Sequence, residues 1–390
     1  MDSYSSMPTA RSLMDEFSRL TGLSGDLPPR RYLWTDAFAV CNFIDLSDRA
    51  HDKNYIQRAM RLVDQVHFFL GRHREDDARS GWISGLDEKE GMLHPTKGGL
   101  RIGKELNERK PEEPFDERLE WDRDGQYYHY LTKWMHALNL MGRTTGDSKY
   151  IRWARELAKA AHAGFTHIPS FGGPQRMYWK MSIDLSYPLV SSMGQHDPLD
   201  GFVTYHQLQA AAAKTSEKSI LPDLNTEIAD MAIICEGKNW ATGDPLGIGG
   251  LLTDAFKIAQ LLSTGHFKQS ELLETLLDSS LQGLGFYSGE HPLKLPAEHR
   301  LAFRELGLSV GLHAAQRLKD LVGRNSSFFD NLDFLHSRIE ALMKYLPFTE
   351  EIETFWLKPS SRETYTWTEH RDINMVMLAT SLAPDGYLSI

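Results

Sequence analysis

Acidic side chains crowd three short stretches of this chain, each beside aromatic rings. LEWDRDGQYYHYLTKW, residues 119–134, brings Glu120, Asp122 and Asp124 together with Trp121, Arg123 and Tyr128. SSMGQHDPLDGFVTYHQL, residues 191–208, sets His196 beside Asp197, with Asp200 following. YTWTEHRDINMVML, residues 365–378, runs Trp367, Glu369, His370, Arg371 and Asp372 through the start of a hydrophobic segment. Crowded carboxyls push one another's pKa values apart, so one can stay protonated near neutrality while its neighbour is ionised. Such a pair can give a proton to a leaving group and take one from water. A plainer reading stands beside each stretch. Aspartate before a helix caps backbone N–H groups, and Asp-Pro and Asp-Gly make turns. A cap needs one acid, whereas residues 119–134 supply several, and there the chemical reading is the stronger.

Other chemistries find less support. The sequence has no GxxxxGK[ST], no GxGxxG after a strand, no HExxH and no serine nucleophile elbow. His129 and His136 share one face of a helix but lack a third nearby ligand, so they read as core histidines and no metal is expected. No cofactor motif is present. TDAF occurs at 35–38 and again at 253–256, so Asp36 and Asp254 read first as caps. Trp34 next to Asp36 also makes that aspartate a candidate ligand.

The elements that must position these residues are helices of two kinds. Residues 37–46 are apolar on nearly every side, the mark of a helix buried all round. Residues 53–70 repeat apolar positions at i, i+4 and i+7 with Lys53, Gln57, Arg58 and Arg61 between them, the pattern of a half-buried helix. The alternation recurs. Buried helices are expected to begin near Thr35, Gln126, Gly201, Thr253, His299 and His370, and amphipathic ones near Lys53, Ser148, Pro222, Gln269 and Phe328. The helix at 10–20 supplies the remaining amphipathic partner and closes the ring. Repetition of this kind predicts an all-α fold, an (α/α)6 barrel or toroid of six inner and six outer helices, as a single domain over about 10–385 of the 390 residues.

Links from inner to outer helices are short. Links from outer to inner helices, at 73–125, 165–200, 239–252, 285–298 and 346–369, are long and emerge on one face. Long connections in compact domains usually carry function, and 73–125 reads as a functional loop insertion. These loops hold Trp82, Trp121, Tyr178, Trp179, Trp240, Tyr287, Trp356 and Trp367, with Trp34 just before the first inner helix. Rings under loops can be satellite cores. As a set they also suit a polar cleft that packs sugar faces.

Composition narrows the classes. Hydrophobic residues make up 41% and charged residues 25%, enough for a real core. A net charge of −10 argues against a nucleic-acid partner. No stretch has the length of apolar sequence that a membrane span requires, and no signal peptide is visible at the N-terminus. Cys41 and Cys235 suit a reducing compartment, and a cytoplasmic location is expected.

On the alternating helices, the one-sided long loops and their Trp, Asp and Glu content, the chain resembles the six-hairpin glycosidase-like superfamily. The resemblance implies a carbohydrate-active enzyme with its acid on a loop before an early inner helix and its base nearer the C-terminus. Mapped here, Asp122 or Asp124 is the acid and Glu369 the base, with Asp197 and Asp200 as competitors. Trp34, Asp36, Trp121, Tyr128, His196, Trp367, His370 and Arg371 would hold the substrate. An inverting glycoside hydrolase on a small neutral carbohydrate is the expectation. The N-acylglucosamine 2-epimerase-like proteins share the architecture and use paired histidines. The alternative is therefore a sugar epimerase using His196, His291 or His370. A lyase served by Arg101, Lys104, Arg109 and Lys110, and a non-catalytic glycan-binding toroid, stand behind it. The sequence leaves sugar, linkage and oligomeric state open.

Overall fold

The computed structural model describes residues 3–170, 172–213 and 221–390. Packing gathers the chain into two compact units, residues 21–237 and residues 1–20 with 238–390.

Residues 21–237 form three helical hairpins. Helix α1 (Ser3–Leu20) belongs to the other unit; here α2 (Leu33–Ala50) pairs with α3 (Lys53–Leu70), and α4 (Tyr128–Thr145) with α5 (Ser148–Phe165). The third hairpin joins α6 (Asp197–Ala212) to α7 (Asn225–Cys235). The inner members are buried as their apolar sequence requires: in α2 every residue from Leu33 to Leu46 is buried. The outer members bury one stripe, in α3 Tyr55, Ala59, Leu62, Val63, Val66 and Leu70. Asp52 and Asp147 start α3 and α5 by accepting from the backbone N–H of Asn54 and Lys149, both at 3.0 Å, so the short links turn on ordinary caps.

Residues 238–390 repeat the plan. α8 (Pro245–Ser263) pairs with α9 (Ser270–Gly289) and α10 (Ala302–Arg324) with α11 (Leu332–Met343). α12 (Arg371–Leu382) packs on α1, so the N-terminal helix does partner the last inner helix. Two of the expected long links differ. The link at 346–369 holds a helix, Pro347–Leu357. The segment expected to remain loop to 252 is helical from Pro245, because Gly249 is a helix-packing glycine and not part of a turn. A Cβ on Gly249 would collide with the Gly307 carbonyl, and one on Gly311 with the backbone of Gly249. The inner helices α8 and α10 therefore touch backbone to backbone, which only glycine permits.

Strands are minor. Among the described residues the largest sheet has three short antiparallel strands in the order β1-β4-β5, where β1 is Gln126–Tyr127, β4 Lys180–Met181 and β5 Pro188–Val190. Strands β2 (Thr166–His167) and β3 (Arg176–Met177) form a separate pair. The three-stranded sheet ties the connection at 166–196 to the start of α4, next to the acid-rich stretch. Among the described residues, no helix is long and apolar enough to cross a membrane.

Candidate functional site

The first turns of α4 and α6 carry the densest set of ionisable groups whose bonds are incomplete. α6 begins with Asp197-Pro198, proline occupying a first-turn position where its missing N–H costs nothing. Asp197 and Asp200 lie three apart there and so share one helix face. α4 presents His129, Thr132 and Lys133 to them. Lys133 Nζ lies 2.8 Å from Asp200 Oδ1, and Thr132 Oγ1 donates to Asp200 Oδ2. His129 Nδ1 lies 3.5 Å from Asp197 Oδ1. Among the described residues, neither that nitrogen nor Asp197 Oδ2 has a hydrogen-bond partner. A Cβ on Gly194 would collide with the Asp197 carboxyl, so the loop before α6 makes room for it.

The two aspartates are thus set in opposite states. Asp200 is in an ion pair with Lys133. Burial, and then the neighbouring Asp200, push the Asp197 carboxyl up to about 8, with Lys133 opposing. Burial also draws His129 down to about 4, leaving the imidazole neutral at neutral pH.

Aromatic rings run through this site without a break. Trp121 meets Trp179 edge-on at 5.4 Å, Trp179 meets Tyr127 at 5.8 Å, and Tyr127 meets His129 at 5.4 Å and Tyr130 at 5.2 Å. Tyr130 continues to Tyr32, their hydroxyls 2.7 Å apart, and to Trp34 at 6.5 Å. A cavity of about 300 Å³ opens between Phe115, Trp121, Tyr127 and Trp179, with Glu117 and Glu120 on its wall. That volume is at the small end of ligand pockets. Trp121 is 47% exposed, which is unusual for so large a ring and leaves its face free.

Several residues expected from the sequence to act on substrate are framework instead. Asp124 is 0% exposed; Arg101 and Arg74 bind its Oδ2, and the N–H groups of Gly103 and Gly125 bind its Oδ1, each at 3.0 Å. It staples 73–125 to its own base, held by two guanidiniums and two backbone N–H groups, and none of its surface is open to a sugar. Tyr128 is buried and donates to the Tyr205 hydroxyl at 2.8 Å, so it belongs to the core between α4 and α6. Asp36 is buried in the first turn of α2 and accepts from the Tyr32 N–H at 2.9 Å, with Arg31 beside it, whereas Asp254 lies inside α8, so the TDAF repeat does not mark a shared helix start and the cap reading fails for Asp254. Trp367 is buried and stacks on Trp356, which donates to Glu305. Trp82 and Trp240 are also buried, so the satellite-core reading holds for them.

The remaining candidates, Trp34 apart, stay accessible. Asp122 is exposed beside Trp121, and His196, half-buried, immediately precedes Asp197. Trp34 is buried behind Tyr130 and forms the floor of the ring series. In the other unit Glu369 and Arg371 are exposed and His370 half-buried, its ring edge-on to Phe303.

Sequence alone takes His129 for a core histidine and passes over Lys133. Their spacing of four on α4 was a visible signal, but without the pairing of α4 with α6 nothing distinguished them from a solvated turn of helix. The loop framework was equally hidden. Lys180 is fully buried and donates to Glu120 and to the carbonyls of Glu120 and Arg123, while Arg109 takes the other Glu120 oxygen at 3.1 Å. Arg79 gathers Asp77, Glu108 and Asp184 from three segments. Among the described residues no cluster of histidine, cysteine or carboxylate side chains could hold a metal ion.

No family model matches the chain, and no curated protein sequence does. Solved structures do. A GH76A α-1,6-mannanase from Salegentibacter superposes with a TM-score of 0.54 at 11% identity, covering 97% of this chain and 99% of that one. A GH76 α-mannanase from Bacteroides thetaiotaomicron gives 0.55 at 10% identity over 99% and 96%. A cellobiose 2-epimerase from Spirochaeta thermophila gives 0.47 at 11% identity over 87% and 86%. The two mannanases show the fold: this chain is an all-α protein of the (α/α)6 toroid class. At such identity they show the fold alone.

Proposed function

We propose that the chain is a carbohydrate-active enzyme, a glycoside hydrolase that acts with inversion on a neutral oligosaccharide, and that Asp197 and Asp200 carry its chemistry. One observation carries the reading: two carboxyls on one helix turn, one held protonated and the other ion-paired, at the inner end of a series of aromatic rings whose outer end, Trp121, is exposed. Asp197 supplies the proton that the leaving sugar takes. Asp200 serves as base to the attacking water, in place of Glu369, because it shares the first turn of α6 with Asp197. The rings from Trp121 to Tyr127 offer apolar faces to the C–H groups of a pyranose. Lys180, Lys133, Arg109 and Arg101 are each paired with a carboxylate of the protein, which favours a neutral sugar over a uronate.

The mannanases of like fold make α-mannan oligosaccharides the first substrates to try, alongside β-glucan, xylan and α-glucan oligosaccharides. The expected result is reducing sugar released from at least one, its first-formed anomer inverted by proton NMR. Release from none would overturn the reading.

One observation favours a second reading. In that reading His129, neutral and set against Asp197, is the general base of a sugar epimerase. Deuterium uptake at sugar C2 without bond cleavage would select it.

A further inference from the structure

Asp197 holds a proton without a direct path to a sugar. Its side chain is 8% exposed, while that of His129 is 30% exposed. The buried nitrogen of the ring is Nδ1, which faces Asp197, so the open side of the ring is the one that carries Nε2. Tyr127 and Tyr130 fix the ring from two sides, at 5.4 and 4.9 Å between centroids. A neutral imidazole has a donor at one nitrogen and an acceptor at the other, and can receive a proton at one end while releasing one at the other.

We propose that His129 is the proton relay of the site, passing the Asp197 proton to the leaving glycosidic oxygen. The inference rests on the hydrolase reading above. In the step, the Asp197 O–H bond breaks as Nδ1–H forms, and the Nε2–H bond breaks as the glycosidic oxygen gains its proton. The bond from that oxygen to the anomeric carbon breaks, its electron pair staying on oxygen. Water bonds to the anomeric carbon and gives its proton to Asp200. His129 ends neutral with its tautomer reversed, Asp197 ionised and Asp200 protonated; solvent exchange restores both carboxyls.

The relay also accounts for the geometry. Side chains three apart on a helix start about 5–6 Å apart at Cβ, whereas inversion needs about 6.5–9.5 Å between proton donor and base. Delivery from Nε2 moves the donor outward by the width of the ring and opens space for water. The titratable groups around the pair are Asp200 and Lys133, the phenols of Tyr127, Tyr128 and Tyr130, and His196 one residue before Asp197.

Two measurements on the full chain test it. Nitrogen-15 NMR of the histidine rings needs no substrate. The His129 signals should step as Asp197 ionises in mildly alkaline solution, and the step should vanish in Asp197→Asn; no step, or the same step in the variant, overturns the shared proton. The second compares His129→Gln and His129→Asn with the parent on the oligosaccharide panel and on glycosyl fluorides of the same sugars, whose leaving group needs little protonation. Turnover of the oligosaccharide should fall about 10²–10⁴-fold, the usual contribution of a positioned acid, with fluoride release within about tenfold of the parent. Equal losses on both, or none on either, overturn the relay. If the parent cleaves nothing, the hydrolase reading fails by itself, and the NMR result still decides whether His129 and Asp197 share a proton.

Discussion

A buried carboxyl without a full set of partners costs stability, and Asp197 is such a group. Its raised pKa means that at neutral pH the folded protein holds a proton the unfolded chain has shed. The stability this contributes is complete below the ordinary carboxylate range and is lost as pH rises through about 8. Asp197→Asn, which never ionises, should therefore be more stable than the parent at pH 7–8, by roughly 1–3 kcal/mol. The advantage should shrink towards pH 4, as read by urea unfolding; an advantage that is absent, or that grows in acid, contradicts the assignment. The same variant should lose activity, the trade expected where a strained group serves function. In the parent, kcat/KM should fall on an alkaline limb near pH 8, where Asp197 loses its proton.

Asp124 is the counterpart at the scale of elements. It holds Arg101, Arg74 and two backbone N–H groups at the junction of the long loop and α4. Asp124→Asn removes the charge partner of Arg101, and one of the two carboxylates on Arg74, which keeps Asp76, and should cost about 3–5 kcal/mol, the range for a broken buried pair. A thermal melt lowered by several degrees, with turnover per folded molecule close to the parent's, is the expected outcome; an unchanged melt with lost turnover would return Asp124 to catalysis. The sequence could not separate the two aspartates, because Asp124 and Asp197 both sit before an inner helix beside aromatic residues. What separates them is Arg101, far from Asp124 in sequence, and Gly194, which leaves Asp197 space. The helices themselves were legible because burial on all sides and burial on one stripe leave different periodicities, as in α2 and α3. The start of α8 was misplaced because Gly249 and Gly250 look like a turn until Gly307 and Gly311 are brought against Gly249. Tyr128 and Trp367 were misread for a related reason: ring content marks a cleft and a core alike, and only Tyr205 and Trp356 tell which.

For the whole molecule, the fold class and the chemistry rest on different supports. Among the described residues, five helical hairpins and the pairing of α12 with α1, together with the likeness to two mannanases over nearly their full lengths, support the (α/α)6 fold class. The proposed activity depends on the first turns of α4 and α6 and on the rings around them, all within residues 21–237. The most direct test sets Asp197→Asn against Asp124→Asn on the oligosaccharide panel, with turnover normalised to folded protein. The account predicts sugar release by the parent, a loss of about 10²–10⁴-fold in kcat for Asp197→Asn, and near-parental kcat for Asp124→Asn. Full turnover in Asp197→Asn would contradict it.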